Sequence, residues 1–293
     1  MLSFSQWFCN KNIEFDAVYR RSEAEREMCI DTNSFLIFGI PPYLLFAMVG
    51  FLFAFSFYLL NLGFAARNIN KHAVVLLGSL AGLLLGSYIF GFLTKFLIAL
   101  YEKSGFDNFF SSGAGIVFYG GLTGFVLSYL GLEKLVFKKY DLTVLNIFAT
   151  AIPLFHAFSR VGCFFAGCCY GKEVDSIISV NYILRGETES HVRIPVQLIE
   201  AVVNAIIFVL LFILLLKKTN KNLLQIYLLV YPVCRFLLEF LRDDPDRGVF
   251  GFISFSQIYS VLILFVVLIW HRIKKRDKAE ILHDGNLCAK CNN

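Results

Sequence analysis

Residues 196–216 read VQLIEAVVNAIIFVLLFILLL, an apolar run whose only charged side chain is Glu200. About 20 such residues are enough for a helix to cross the roughly 30 Å hydrocarbon core of a bilayer. Similar runs cover approximately residues 43–65, 73–100, 113–130, 142–157, 223–241 and 254–270. The sequence therefore predicts an all-α, polytopic membrane protein, a bundle of about seven transmembrane helices with an extracytoplasmic head region.

The composition of the whole chain agrees with this prediction. Of its 293 residues, 57% are hydrophobic and 17% are charged, whereas average globular chains are about 45–50% apolar and about 25% charged. This balance excludes a disordered chain, a collagen and a disulfide-stapled miniprotein. It also argues against a nucleic-acid partner, and the bilayer is the expected environment.

Basic residues predict the orientation and the division of the chain. Lys and Arg follow the first, third, fifth and seventh runs, for example Lys217 and Lys218, and such ends face the cytoplasm. We expect an extracytoplasmic tail over residues 1–34, with no cleavable signal peptide, and a seven-helix catalytic domain over residues 35–271. Within that domain, residues 158–195 are expected to form an extracytoplasmic connection. Residues 272–293 are predicted to be a cytoplasmic basic tail.

The eight cysteines are too scattered for a disulfide scaffold. Cys288 and Cys291 form a CxxC pair at the end of the chain, which is half of a zinc site. Cys163, Cys168 and Cys169 follow the fourth run, and together with His156 they could ligate zinc. Because adjacent cysteines fit one tetrahedral site poorly, we expect neither a metal nor a cofactor.

The sixth run carries a polar stripe. Tyr231, Arg235, Glu239 and Arg242 lie at i, i+4, i+8 and i+11, so they share one face of a helix. Ionisable residues inside a membrane span mark function more often than fold. An Arg235–Glu239 pair that neutralises itself is the structural alternative, but it leaves Tyr231 and Arg242 unexplained. Pro232 is expected to break the helix next to Arg235.

Two further polar sets stand at the ends of neighbouring runs. His156 and Arg160 are one helical turn apart, and three glycines between residues 162 and 171 are expected to break the helix after them. Gln197 and Glu200 begin the fifth run, where the carboxylate needs a cationic partner such as Arg160 or Arg235. A histidine held in the core would be the structural alternative for His156.

Two weaker candidates lie in the third and first runs. Tyr119 precedes Gly120 and Gly121; these glycines could simply allow close helix packing, while Tyr119 could direct its hydroxyl into a pocket. Tyr43 begins the first run, where an aromatic residue is normally part of the interfacial belt.

Arginines that converge inside an apolar bundle require an anionic partner. Phosphate matches the guanidinium donors in two-pronged hydrogen bonds, and phospholipid headgroups are the abundant phosphates of a membrane. The residue types therefore favour an anionic phosphodiester lipid as ligand. They leave open whether the protein is an enzyme that uses the lipid or a transporter of lipids or anions.

Four segments, in this order on seven runs, carry a family resemblance. They are YGGLTG from Tyr119, HAFSRVGCFFAGCCYG from His156, IPVQLIEA from Ile194, and YPVCRFLLEFLRDDPD from Tyr231 followed by SFSQIYS. The chain resembles the prolipoprotein diacylglyceryl transferase family over about residues 40–270. The resemblance implies a bacterial plasma-membrane enzyme with its active site on the extracytoplasmic side. It would transfer the diacylglyceryl group of phosphatidylglycerol to a prolipoprotein lipobox cysteine, releasing glycerol 1-phosphate.

The resemblance also assigns roles to residues of this chain. Arg160 and Arg235 match the family's arginines and would hold the lipid phosphate. The other matching positions, expected to bind substrate, are Tyr43, Gly120, Gly121, Gln197, Glu200, Tyr231, Glu239 and Arg242.

Two positions depart from the family pattern. Many members have His-Gly-Gly where this chain has Tyr119-Gly120-Gly121, and Cys163 replaces an asparagine. We expect His156, or Tyr119, to deprotonate the acceptor thiol, which is only a few per cent thiolate at neutral pH. The departures leave open a paralogue that modifies another acceptor.

Overall fold

The computed structural model describes residues 29–31, 40–65, 67–102, 118–138, 141–183, 189–244, 249–250 and 252–272. Most of the predicted N-terminal tail 1–34 lies outside the described residues. So do residues 273–293 of the predicted cytoplasmic tail, with Cys288 and Cys291.

Within these described ranges, seven helices form the bundle. They are α1 (Pro42–Phe64), α2 (Ile69–Glu102), α3 (Phe118–Phe137), α4 (Leu142–Phe165), α5 (Val196–Leu216), α6 (Leu223–Leu238), which continues as a 3₁₀ turn (Glu239–Leu241), and α7 (Phe255–Arg272). All except α3 belong to six stretches that are long and apolar enough to cross a membrane. The predicted polytopic membrane protein is confirmed.

The third helix differs from its predicted boundaries. The apolar run was placed at residues 113–130, but α3 extends to Phe137, and residues 113–117 lie outside the described ones. The final turns contain Glu133 and Lys134, which interrupt the hydropathy signal without interrupting the helix. Glu133 is buried, so part of the polar end of α3 is enclosed by the bundle.

Of the two expected helix breaks, the one in the glycine segment after Arg160 is confirmed and the one at Pro232 is wrong. The helix α4 continues through Gly162 and ends at Phe165, and its end is followed by Gly167 and Cys169 in the left-handed region, at φ 64° and 60°. The helix α6 contains Pro232 and continues to Leu238. Arg160 and Arg235 therefore both lie within continuous helix.

Glycines allow α2 and α3 to approach closely. A Cβ atom added to Gly82 or Gly86 would collide with the backbone carbonyl of Gly124 or Gly120. Small residues spaced by four are typical of such contacts between membrane helices. Gly120 faces Gly86 and Phe90 of α2, which supports the packing interpretation of this glycine.

Polar side chains define several helix starts. Asp141 and Asn222 accept hydrogen bonds from the backbone amides of Thr143 and Gln225 at the starts of α4 and α6. At α7, Ser254 and Gln257 bond each other's backbone amides, at 3.0 and 3.2 Å. This reciprocal capping box fixes the end of α7 that lies next to Arg235.

Short strands from three separate parts of the chain form the head region. β1 (Cys29–Asp31) pairs in parallel with β2 (Val180–Ile183), which pairs antiparallel with β3 (Ser190–Arg193). β4 (Val249–Phe250) and β5 (Ile253–Ser254) form a second small pair. An extracytoplasmic loop region was predicted here, but these strands were not, because they are too short to give a clear alternating pattern.

Candidate functional site

Glu200 is the centre of a buried ionic network. It lies in the second turn of α5, and its Oε1 is 3.2 Å from Arg160 Nε of α4. Tyr231 of α6 donates a hydrogen bond to the same oxygen at 3.0 Å. Oε2 lies 3.7 Å from Arg235 Nη1. One carboxylate therefore links three helices, and it does so through residues that the sequence had singled out.

A second part of the network continues from Arg235 to the head region. Arg235 Nη2 lies 2.8 Å from Glu239 Oε2 and donates to Ser256 Oγ of α7 at 3.3 Å. Arg242 forms a two-pronged pair with Asp244, at 2.7 and 2.6 Å. Burial raises the pKa of Asp244, although its hydrogen bonds from Arg242 act in the opposite direction.

One guanidinium donor of the network lacks a hydrogen bond to any described residue. The three arginines balance Glu200, Glu239 and Asp244 in formal charge, and all six side chains are buried. Yet Arg235 Nη1 has no hydrogen-bond partner among the described residues. A buried guanidinium donor without a partner is energetically unfavourable, and an anionic ligand would satisfy it. The carboxylates hold the guanidinium groups in fixed orientations for such a ligand.

His156 is part of the network, and its role as a base stays a prediction. Its Nε2 accepts a hydrogen bond from Arg160 Nε at 3.1 Å and is 3.7 Å from Glu200 Oε1. Because a neutral imidazole has one accepting nitrogen, this bond uses the lone pair that would take a proton. The contacts support a role for His156 in positioning Arg160.

Tyr119 is buried between helices. Its hydroxyl is 2.9 Å from Ser260 Oγ of α7, and its ring stacks on Tyr259. Its ring also lies 6.3 Å from that of Tyr231, which places it beside the network. Its role in deprotonation stays a prediction. Gly120 and Gly121 both pack against α2, and Gly121 also borders a cavity.

An apolar cavity of about 580 Å³ adjoins the network. It is bordered by α1, α2, α3 and α4, and His156 and Tyr43 are among its few polar lining residues. Met48, Leu52 and Leu84 line it and are also 42–61% exposed, and α1 and α2 make few contacts with each other. The cavity therefore opens sideways between α1 and α2, toward the surrounding lipid.

Tyr43 and Gln197 stand at the head-region end of the bundle. Tyr43 is 43% exposed, and its backbone packs against Gly162 of α4. Gln197 Nε2 donates to the Cys168 carbonyl at 2.7 Å. Gln197 thus fixes the loop that follows α4, and its predicted role in substrate binding stays a prediction.

Three thiols, one from the last turn of α4 and two from that loop, converge. The Sγ atoms of Cys163, Cys168 and Cys169 all lie within 4.8 Å of one another. Hydrogen bonds from Cys163 and Cys168 lower the pKa of the Cys169 thiol, and nearby Arg242 and Arg160 act in the same direction. The sequence predicted that adjacent Cys168 and Cys169 would fit one tetrahedral site poorly; their thiols nevertheless lie close to each other and to that of Cys163. The left-handed backbone at Cys169 brings the adjacent thiols together.

Three site residues were not predicted individually. Asp244 holds Arg242, Ser256 accepts from Arg235, and Ser260 contacts Tyr119. The i, i+4 spacing of Ser256 and Ser260 at the start of the last run indicates that both lie on one polar face of the helix.

Comparisons with known proteins agree with this arrangement. A family model described as "Prolipoprotein diacylglyceryl transferase" matches residues 33–272. A Clostridium tetani protein named phosphatidylglycerol–prolipoprotein diacylglyceryl transferase is 31% identical over 242 residues, or 79% of this chain and 93% of that protein.

Other relatives match over shorter stretches. A Clostridium perfringens protein of the same name, numbered 2, is 32% identical over 56% of this chain, and the match spans 64% of its length. A Helicobacter pylori protein of that name is 31% identical over 53% of this chain and 56% of its own length. The resemblance predicted from the sequence is confirmed, and the chain belongs to the prolipoprotein diacylglyceryl transferase family.

Proposed function

We propose that the protein transfers the diacylglyceryl group of phosphatidylglycerol to the lipobox cysteine of prolipoproteins. The products are a thioether-linked lipid on the acceptor and free glycerol 1-phosphate. The observation that carries the proposal is the contact between a buried arginine network and an apolar cavity that opens sideways between α1 and α2. Family membership and the names of the relatives support the same reaction.

The cavity and the network suit the two parts of a phospholipid. Acyl chains could enter between α1 and α2 and remain in apolar surroundings of about 580 Å³. The phosphate would then meet Arg160 and Arg235 beside His156, at the polar end of the cavity. Arginine forks match phosphate oxygens, and Arg235 Nη1 has a donor available for them.

The reaction is a displacement at carbon. The acceptor thiol loses its proton, and the sulfur forms a bond to the terminal glyceryl carbon that bears the phosphate ester. The carbon–oxygen bond breaks, and the electron pair leaves on the phosphate of glycerol 1-phosphate. Negative charge therefore grows on the phosphate, where a well-directed donor is worth about 3 kcal/mol or more.

Glu200 and Glu239 serve to orient the arginines in this scheme. Each lies within 4 Å of two arginines, and neither would act as the base. Opposite charge on both sides keeps the guanidinium groups from repelling one another. The site is proposed to lie on the extracytoplasmic side of the bacterial plasma membrane, where a secreted prolipoprotein exposes its cysteine.

The test uses the full chain purified in detergent. It is incubated with phosphatidylglycerol and a lipobox peptide, and mass spectrometry is used to search for a diacylglyceryl adduct on cysteine. We expect the adduct with the cysteine peptide and none with the serine peptide. Phosphatidylethanolamine, which has no net charge, is the matched donor control and should react poorly.

A second measurement separates the enzyme from a transporter. The protein is placed in vesicles with labelled phosphatidylglycerol, and lipid exchange between leaflets is followed beside adduct formation. Adduct formation without accelerated exchange supports the proposal. Exchange without any adduct would overturn it in favour of transport.

A further inference from the structure

We propose that Cys163, Cys168 and Cys169 hold a zinc ion with a fourth position left for the acceptor thiol of the substrate. This inference rests on the proposed transfer reaction, since it assigns the activation of its nucleophile. It replaces the expectation from the sequence that the chain has no metal site.

The three thiols are arranged as soft-metal ligands. All three Sγ atoms lie within 4.8 Å of one another. In a tetrahedral thiolate site with zinc–sulfur bonds of about 2.3 Å, neighbouring sulfurs are about 3.8 Å apart. Small side-chain rotations could bring the three sulfur atoms from their present separations to that distance. Thiolates favour zinc or copper(I) over magnesium or calcium.

The backbone is shaped for this convergence. Cys169 has φ 60°, a region that is uncommon for residues other than glycine and costs roughly 1 kcal/mol or more. Gln197 holds the Cys168 carbonyl at 2.7 Å, and Cys163 is anchored in the last turns of α4. Two adjacent thiols and a third from the helix can thereby reach one point.

The fourth ligand is not supplied by a neighbouring side chain. Within the described segments, no histidine, carboxylate or further cysteine belongs to the group. His156, the ligand suggested by the sequence, contacts Arg160 and Glu200 instead. Catalytic zinc sites have three protein ligands and an open position, whereas structural sites are closed by four.

The thiol group lies beside the proposed phosphate site. Cys163 follows Arg160 by less than one helical turn, and both Arg160 and Arg242 are close enough to Cys169 to influence it electrostatically. Zinc with three thiolates carries one net negative charge, which these arginines would stabilise. An acceptor bound to the zinc would therefore face a phosphate held on Arg160 and Arg235.

Zinc would activate the acceptor thiol, a step for which the site has no evident base. Coordination displaces the proton of the acceptor thiol to solvent, and the resulting thiolate attacks the glyceryl carbon as the carbon–oxygen bond breaks. No oxidation or reduction occurs. The lone pair of His156 already accepts a hydrogen bond, and the hydroxyl of Tyr119 is hydrogen-bonded to Ser260. Both contacts favour activation by zinc over deprotonation by either residue.

The first test measures metal in the full chain, purified in detergent under reducing conditions. Metal is removed with a chelator and zinc is returned. We expect about one zinc per chain, and Co²⁺ should give an intense thiolate charge-transfer band. The cysteine peptide should change that spectrum and the serine peptide should not. Tight binding of copper(I) in preference to zinc, or two oxidised thiols in place of metal, would overturn the proposal.

Matched serine variants locate the site. Cys168→Ser should lose at least about tenfold in zinc affinity, as expected for removal of one of three ligands. Cys234→Ser is the control, because Cys234 lies in α6 outside the thiol group. Size-exclusion profiles and thermal unfolding establish that both variants are folded.

The final comparison separates this inference from the proposed function. Transfer should fall about tenfold or more on chelation and return with zinc, because free thiol is only a few per cent thiolate at neutral pH. Full transfer by metal-free protein would overturn the zinc site and leave the transferase assignment intact. Zinc and peptide binding without any transfer would count against the transferase assignment alone.

Discussion

Among the residues that the structure describes, two buried ionic clusters lie at opposite ends of the bundle, and one of the two has the features of an active site. Near the start of α2, His72 Nδ1 lies 3.3 Å from Glu133 Oε2 of α3, and the imidazole stacks on Phe137. At the other end, Glu200 joins Arg160, Arg235 and Tyr231. Both groups are buried in apolar surroundings, so burial alone does not distinguish them.

The difference lies in charge and access. The His72–Glu133 pair contains one donor group and one carboxylate, and neither residue borders the cavity. The arginine network contains three permanently charged guanidinium groups and contacts the cavity through His156. It also includes a guanidinium nitrogen that has no hydrogen-bond partner among the described residues. A buried ionic cluster therefore indicates a binding site when it borders a cavity and contains a hydrogen-bond donor that has no acceptor within the cluster.

The largest expected effect is that of Arg235→Lys. The substitution keeps the charge that balances Glu200 and Glu239 but removes the fork that can hold two phosphate oxygens. Diacylglyceryl transfer should fall by about 100-fold or more, the usual effect of losing a well-placed transition-state donor. Product is measured by mass spectrometry at saturating lipid.

Arg67→Lys is the matched control for that experiment. Arg67 pairs with Asp141 at 2.8 Å at the other end of the bundle, and its side chain is 42% exposed. We expect unchanged transfer. Equal losses in both variants, or near-normal transfer in Arg235→Lys, would contradict the assigned difference between the two ends.

A smaller effect is expected from filling the cavity. Ala47 of α1 lines it, and Ala47→Trp should reduce the space available for acyl chains. KM for phosphatidylglycerol should rise about tenfold, which corresponds to about 1.4 kcal/mol, with a smaller change in kcat. Val209→Trp is the control, because Val209 is 50% exposed on α5 and does not line the cavity. A similar KM in the two variants would argue against this lipid path.

Much of this arrangement was predictable because membrane helices leave strong sequence signals. Runs of apolar residues identify six of the helices, and charges inside such runs stand out against their surroundings. The spacing of Tyr231, Arg235 and Glu239 on one helix face indicates a shared polar stripe. Glu200 was expected to pair with Arg160 or Arg235, and it lies within 4 Å of both.

Other features depend on contacts between distant parts of the chain. Spacing along one helix could not reveal that His156 Nε2 accepts a hydrogen bond from Arg160 Nε and lies 3.7 Å from Glu200 Oε1, nor that α4 continues beyond Gly162. Gly162 reads as a helix breaker, but here its missing side chain lets α1 pack against α4 at Tyr43. The convergence of Cys168 and Cys169 likewise depends on one left-handed backbone angle.

The smallest effect on transfer is expected from Glu133→Gln. Glu200→Gln makes the same substitution in the arginine network, so the two variants together test the comparison between the clusters. Loss of the Glu133 carboxyl group beside His72 should lower stability by about 0.5–2 kcal/mol and leave the transfer rate of folded protein unchanged. Glu200→Gln should instead reduce transfer at least about tenfold, because Arg160 and Arg235 would lose the carboxylate that separates and orients them. Thermal unfolding in detergent and transfer per folded molecule measure the two effects separately. If Glu133→Gln slowed transfer as strongly as Glu200→Gln, the two ends of the bundle would have to be coupled, and the distinction between a structural pair and a substrate-binding network would fail.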